Sequence, residues 1–229
     1  MKEVSQIFEQ IVNKIDNSIN VSSLSIAGSV LRIRTCNTKW ARAGKTITAK
    51  DANDSAIEAK ILDVVGDTYI DVDNMQVYTD IRLNRPTPMF GTRTATNNEW
   101  NLMTSNIIAK TPIIWCLELV NELHYGEESS LERDIEMKVF FLDETDILNY
   151  YTKDHRLQVV RPMIGLAHAF KESIDKNALM KKIVNFNVLG FSRFGTESVT
   201  GMIENILDAN LSGASVQFNL SKYKDGCKC

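Results

Sequence analysis

Cysteine is scarce in this chain of 229 residues: Cys36, Cys116, Cys227 and Cys229 are scattered apart from the last pair. Such spacing offers no disulfide framework and suits a reducing compartment, so disulfides are not expected. A surplus of one charge is also missing. The net charge is -3, from 26 basic and 29 acidic residues, with the two signs interspersed. There is no basic field to neutralise phosphates and no polyanionic tail, which argues against sequence-independent DNA binding as the main activity. No stretch approaches the roughly 20 apolar residues of a membrane span. The N-terminal Met1-Lys2-Glu3 runs into an amphipathic pattern without an apolar signal core. A chain that folds in a cytoplasm, with no membrane partner, is expected.

Catalytic signatures are equally thin. Gly44-Lys45-Thr46 resembles the end of a phosphate loop, but Lys39 stands where the first glycine is required, and the context is strand-turn-strand. His124, His155 and His168 lie far from any cysteine and from one another in sequence, so no metal-ligand spacing arises. Cys227-Lys-Cys229 supplies two soft ligands and leaves a tetrahedral site open. No Gly-x-Ser-x-Gly or Cys/His pairing is present. Glu136-Met-Lys138 matches the acid-x-lysine part of a metal-dependent nuclease site, in which a carboxylate holds Mg²⁺ and the lysine helps to activate water. Its partner acid is missing. Glu118 and Asp134 are the substitutes at hand, yet the segment from Ser129 to Glu136 reads more simply as a solvated hairpin end. No catalytic residue, cofactor or metal is therefore expected.

What the chain does have is an ordinary globular composition, 44% hydrophobic and 24% charged, and enough length for one large domain or a domain with an inserted module. Its centre is the stretch from Lys110 to Lys176. Thr111-Pro-Ile-Ile-Trp-Cys-Leu-Glu-Leu-Val120 and Glu136-Met-Lys-Val-Phe-Phe-Leu142 are short, β-branched or aromatic runs that read as adjacent antiparallel strands. Pro162 suits the first position of a helix, and Met163, Leu166, Ala167, Phe170 and Ile174 share one helical face, so this helix should lie on the sheet. Near the N-terminus, Val4, Ile7, Phe8, Ile11, Val12, Ile15 and Ile19 form another helical stripe. Its polar side lacks Lys/Arg enrichment, which favours docking on the domain's own sheet over a membrane surface.

Residues 22–73 change character. Leu24–Ile26, Val30–Ile33, Lys45–Thr48, Ile57–Leu62 and Thr68–Val72 nearly alternate, with turn signals at Gly28, Gly44, Asp51 to Ser55 and Gly66-Asp67. Five short strands predict a small barrel or curled sheet inserted between the first helix and the sheet it covers. Residues 74–104, with Pro86, Pro88 and a polar run from Thr92 to Asn98, predict an extended arm carrying Arg85, Phe90 and Arg93, and Trp100, Leu102 and Met103 return the chain to the core. The fold expected is α+β: a core of 1–21 and 74–229, with 22–73 as a barrel-like insert. Further on, Val184–Val188 predicts a strand, Met202 to Leu211 a helix ended by Ser212-Gly213, and Val216–Leu220 a last strand. The face opposite their apolar side presents Asn185, Asn187, Ser215, Gln217, Asn219 and Ser221. These are uncharged where a solvated face usually mixes in Lys and Glu, so this surface is a candidate contact as well as a candidate wet face.

The order of helix, β-rich insert, Pro-containing arm, sheet with covering helix, and Asn210-Leu-Ser-Gly213 leading into Val216-Gln-Phe-Asn-Leu220 resembles the tail-terminator and neck-ring virion proteins of tailed bacteriophages. Thr111-Pro-Ile-Ile-Trp-Cys-Leu-Glu, Phe140-Phe-Leu-Asp143, Ser192-Arg-Phe-Gly195 and Asn210-Leu-Ser-Gly213 resemble virion proteins of phages of the Bacteroidota, including the crAss-like group. The resemblance implies a homo-oligomeric ring that joins head and portal to tail around the DNA channel. It implies contacts with other neck, portal or tail proteins and with packaged DNA only by passage. The contact expected for such a ring is the uncharged sheet face, with Asn185, Asn187, Ser215, Gln217 and Asn219, together with Arg85, Phe90 and Arg93 on the arm. The virion is the implied location, after assembly in a host cytoplasm. The alternatives are a metal-dependent nuclease or DNA-processing enzyme, and a monomeric adaptor that binds a host protein.

Overall fold

The computed structural model of the protein describes residues 4–51, 53–73, 79–103, 106–118, 121–125, 132–146, 152–177, 180–181, 183–197, 203–207 and 209–222. The N-terminal stripe forms α1 (Val4–Asn13), which buries Val4, Ile7, Phe8, Ile11 and Val12. The helix ends earlier than its stripe predicts. Ile15 and Ile19 are buried from extended chain, and at the helix end Lys14 and Ile15 N–H donate to the Ile11 and Val12 carbonyls while the Arg85 guanidinium donates to the Asn13 carbonyl (2.6 Å).

Next come β1 (Ser23–Ala27), β2 (Val30–Arg34), β3 (Thr46–Lys50), β4 (Ala56–Val65) and β5 (Tyr69–Val72), the five strands expected from alternation. A sixth, β6 (Thr79–Leu83), pairs with β3, so the sheet reaches past residue 73. All pairs are antiparallel, in the order β1-β2-β5-β4-β3-β6. Gly28 takes φ +66° in the two-residue turn between β1 and β2, a conformation that a Cβ disfavours. Leu31, Ile33, Ile47, Ile61, Ile70, Val72, Ile81 and Leu83 point inward and are buried.

Within the expected arm the chain is regular. It forms β7 (Thr87–Gly91), α2 (Arg93–Leu102) and α3 (Ile107–Lys110) before β8 (Ile113–Leu117). The prolines do not prevent this, because β7 lies at a sheet edge, where a missing N–H costs little. β7 and β8 run parallel, and α2 and α3 supply the crossover that a parallel pair needs. The Thr92 hydroxyl caps α2 by accepting from Ala95 N–H (3.2 Å), and Thr96 and Trp100, one turn apart, bury its inner side. Trp100 does return the chain to the core, whereas Leu102 is exposed.

The second sheet is completed by β9 (Asn121–Tyr125), β10 (Glu132–Glu144), β11 (Asn187–Phe191) and β14 (Leu211–Lys222), in the order β11-β14-β10-β8-β7, with β9 on β10. Val139 opposite Cys116 and Phe141 opposite Ile114 place the two central runs side by side and antiparallel, as predicted. Between β10 and β11 in sequence, α4 (Thr152–His155), a π turn (Arg156–Val160) and α5 (Arg161–Asp175) form one helical run. Pro162 therefore continues a helix instead of opening one. It cannot donate to the carbonyl four residues back, and the wide turn in front of it, where Arg161 N–H donates to the Arg156 carbonyl, carries the backbone past that gap. Met163, Leu166, Ala167, Phe170 and Ile174 are buried against the sheet, as their spacing predicts.

Two further expectations fail. The strand predicted at Val184–Val188 lies three residues later, and the helix predicted for Met202 to Leu211 is replaced by β13 (Ile203–Asn205) paired with β12 (Gly195–Glu197), then by the start of β14. Met202 lies outside the described residues. The ladder between β10 and β14 extends from Arg133 with Lys222 to Glu144 with Leu211, and these cross-strand bonds override a short helical spacing that contains the weak helix formers Asn205 and Asn210.

One core cluster joins α1, the inner face of the first sheet, α5 and one face of the second sheet. The other face of the second sheet holds a smaller cluster of Met89, Trp100, Ile113, Trp115, Leu117, Leu142, Phe194, Leu207 and Leu211. A buried ion cluster also ties the two sheets. Asp143, at the end of β10, faces the Lys45 ammonium at 2.9 Å and the Arg42 guanidinium at 3.2 Å. Lys45, in sequence part of a false phosphate loop and of a predicted strand, is thus an anchor between sheets. Its Nζ also donates to the Thr111 carbonyl (3.2 Å) and hydroxyl (2.5 Å).

Candidate assembly interface

Side chains alternate across a strand, so the register of β11, β14 and β10 decides which residues share a surface. Asn187 faces Gln217, which faces Lys138; Leu189 faces Ser215, which faces Phe140; Asn219 faces Glu136. The intervening residues Val188, Val216, Phe218 and Leu220 point the other way, into the core that α5 covers. Asn187, Gln217 and Asn219 are exposed, Ser215 is half-buried, and Leu189 retains 67% of its exposure. Asn185, just before β11, is exposed, and Ser221 is half-buried. Asn185, Gln217, Asn219 and Ser221 converge with Lys181 and Val184 around a recess of about 360 Å³. The polar residues predicted from alternation do therefore meet on one surface.

That surface is uncharged only along β11 and β14. The Gln217 amide donates to the Glu136 carboxylate (2.7 Å), and the Lys138 ammonium lies 5.5 Å from the centre of the Phe140 ring. Toward the other end the face turns aromatic. Phe140 packs on Trp115 (5.3 Å between ring centres) and edge-on to Phe194 (5.1 Å), and these rings carry the face into the smaller core cluster. The charges were missed because they belong to β10, whose position beside β14 depends on pairing between residues about 80 apart in sequence.

Arg85, Phe90 and Arg93 are not part of this surface. β7 and β11 occupy opposite edges of the second sheet. Phe90 is half-buried on the α1 side, its ring 6.4 Å from Phe8. Arg85 is engaged by the end of α1, and Arg93 is exposed at the first residue of α2. An arm packed as strand and helix cannot carry them to the sheet face.

Glu136 and Lys138 sit on the open face; of the substitute acids, Asp134 lies two residues before Glu136 on β10, and Glu118 is exposed just past the end of β8. Among the described residues, no group of three or more His, Cys, Asp or Glu side chains is placed to hold a metal ion. His155 is buried with Nδ1 3.3 Å from the Ser192 carbonyl oxygen, and His168 is exposed on α5. Cys36 is an exposed free thiol; Cys116 is a buried one whose pKa is pushed up to about 12 by burial. Cys227 and Cys229 lie outside the described residues. A groove of about 850 Å³ runs between α5 and the loops of the first sheet. Its principal charges are paired across it or along it: Lys39 with Asp16, Arg161 with Asp67, and Lys176 with Glu172. No helix among the described residues is long and apolar enough to cross a membrane. No protein-family model, curated protein or solved structure matches the chain.

Proposed function

We propose that the chain is a structural virion protein that closes into a homo-oligomeric ring at the neck or tail end of a tailed phage, joining the head and portal to the tail around the DNA channel. The observation that carries this reading is the open face of the second sheet. There Asn187, Gln217, Asn219 and Ser215 join Leu189 beside a recess, on a sheet whose opposite face is packed into the core. Exposed amides and hydroxyls around an exposed leucine suit a contact between subunits, since they adapt their hydrogen bonding without leaving an ion desolvated. The segments resembling neck and terminator proteins support the same assignment. In this reading the protein acts by geometry. Each copy presents one surface to the next, a cyclic rotation closes the ring, and no residue performs chemistry.

Replacing Asn187 and Gln217 together by lysine tests the assignment of the face. The two positions are directly opposite, and Gln217 is flanked by Lys138, so the variant places three ammonium groups on adjacent strands. The parent should assemble, and the variant should remain a folded subunit by light scattering. A variant that assembles as readily as the parent removes this face from the ring contact.

A further inference from the structure

A sheet edge exposes unpaired backbone N–H and C=O groups, and natural proteins usually blunt such edges with charge, proline or a covering segment. Two strand edges here are treated in those ways. β6 carries Asp80 and Arg82 and is covered by the chain at 17–19: Ile19 N–H donates to the Ile81 carbonyl (2.8 Å) and Leu83 N–H to the Asn17 carbonyl (2.9 Å). β7 contains Pro88 and packs against α1 and α2.

Two edges are different. β1, Ser23-Leu-Ser-Ile-Ala27, ends the first sheet, and β11, Asn187-Val-Leu-Gly-Phe191, ends the second. Both have five residues, without a charge or a proline. Among the described residues, neither pairs with a strand on its outer side. Their faces also match. On β1 one face is apolar, with Leu24 partly buried and Ile26 still 66% exposed, and the other holds Ser23, Ser25 and Ala27. On β11 one face turns Val188 and Gly190 toward Val160 and Ile164 of the helical run, and the other presents Asn187 and Leu189. A strand laid along β11, parallel to it and with its apolar side inward, would set Ile26 beside Gly190, next to the Val160 and Ile164 side chains that pack there, and its serines beside Asn187 and Leu189.

We infer that β1 of one copy adds to the free edge of β11 in the next, so that the first sheet of each subunit continues the second sheet of its neighbour. This rests on the ring reading and specifies its contact. The two surfaces are different, so the contact is head-to-tail, as a cyclic ring requires, and not a twofold one. It is continuous with the open face and recess described above. Backbone hydrogen bonds supply the pairing and the two-sided pattern fixes which way round the strand lies.

Disulfide trapping tests it. The background is the full chain with Cys36, Cys227 and Cys229 replaced by serine and the buried Cys116 retained. In it, Leu189→Cys is mixed with Ser23→Cys, Ser25→Cys or Ala27→Cys, the three positions scanning the register, since directly opposed residues place their Cβ atoms within reach of a disulfide. Each single variant is compared with the parent by light scattering and circular dichroism, so that misfolding is recognised. The expected result is a covalent heterodimer for one of the three mixtures, no covalent dimer from any single variant alone, and a ladder of multimers when both cysteines share one chain. If Leu189→Cys links to itself, β11 pairs with its own copy and the inference is overturned. If the parent assembles but no mixture cross-links, the ring reading stands and the strand pairing is wrong. A parent that stays monomeric at all concentrations overturns both.

Discussion

Asp143 offers the sharpest test of how the two sheets are held together. Its carboxylate is 1% exposed and lies 2.9 Å from Lys45 Nζ and 3.2 Å from Arg42 Nη1, and both cations are themselves almost fully buried. It also accepts from the Glu144 backbone N–H (2.8 Å). Changing Asp143 to Asn keeps the shape and an acceptor oxygen but removes the charge that two desolvated cations face. Lys45 retains Thr111, and the Arg42 guanidinium retains the Glu144 carbonyl at 2.5 Å, so the cations stay hydrogen-bonded without a close counter-charge, apart from the Glu144 carboxylate 3.7 Å from Lys45. Breaking a buried pair from one side costs about 3–5 kcal/mol, a large part of the roughly 5–15 kcal/mol that holds a domain folded. With a urea dependence of about 1–3 kcal/mol per molar, the unfolding midpoint should fall by about 1 M or more. Tryptophan fluorescence reports it, because Trp40, Trp100 and Trp115 are all buried. Replacing Lys45 by Met and Asp143 by Leu together should cost less than the sum of the single changes. A loss below about 1 kcal/mol for Asp143→Asn would refute the claim that this cluster clamps the sheets.

Gly213→Ala should destabilise the fold by at least about 1–3 kcal/mol, because its Cβ would lie 1.9 Å from the Phe141 carbonyl oxygen, a backbone atom that cannot move aside; thermal unfolding checks this. Asp16 has its pKa lowered from 3.8 to about 2, chiefly by the Ser18 hydroxyl and with help from Lys39. Its folded pKa is below the unfolded one, so its contribution is complete above about pH 4 and is lost as pH falls toward 2, and Asp16→Asn should differ from the parent at pH 6 but converge with it near pH 2. Glu136→Ala with Lys138→Ala should leave DNA untouched just as the parent does; Mg²⁺-dependent cleavage by the parent, abolished in the variant, would promote the nuclease.

Where burial follows a local period, the fold was legible. The α1 stripe, the alternation of Leu31 and Ile33 or Ile70 and Val72, and the Met163 to Ile174 face each announce one buried side within a few residues. The polar set at Asn187, Gln217 and Asn219 was readable for the same reason. What stayed hidden depends on distant partners. α2 has no apolar stripe and buries only Thr96 and Trp100 among its residues, so its polar run reads as loop, although the Thr92 cap was a usable signal. Ile203 and Leu207 suggest a helix until β12 and the long β10–β14 ladder supply bonds that no window of sequence contains. The charged quartet joins positions about a hundred residues apart, and Glu136 joins the open face only once β10 is seated beside β14.

Negative-stain imaging of the purified full chain, with its mass measured by light scattering over a concentration series, tests the central proposal most directly. Closed rings of one rotational symmetry, with a mass that is a fixed multiple of 25.8 kDa, are the result expected. A single 25.8 kDa species at every concentration, with no annular particles, would contradict it.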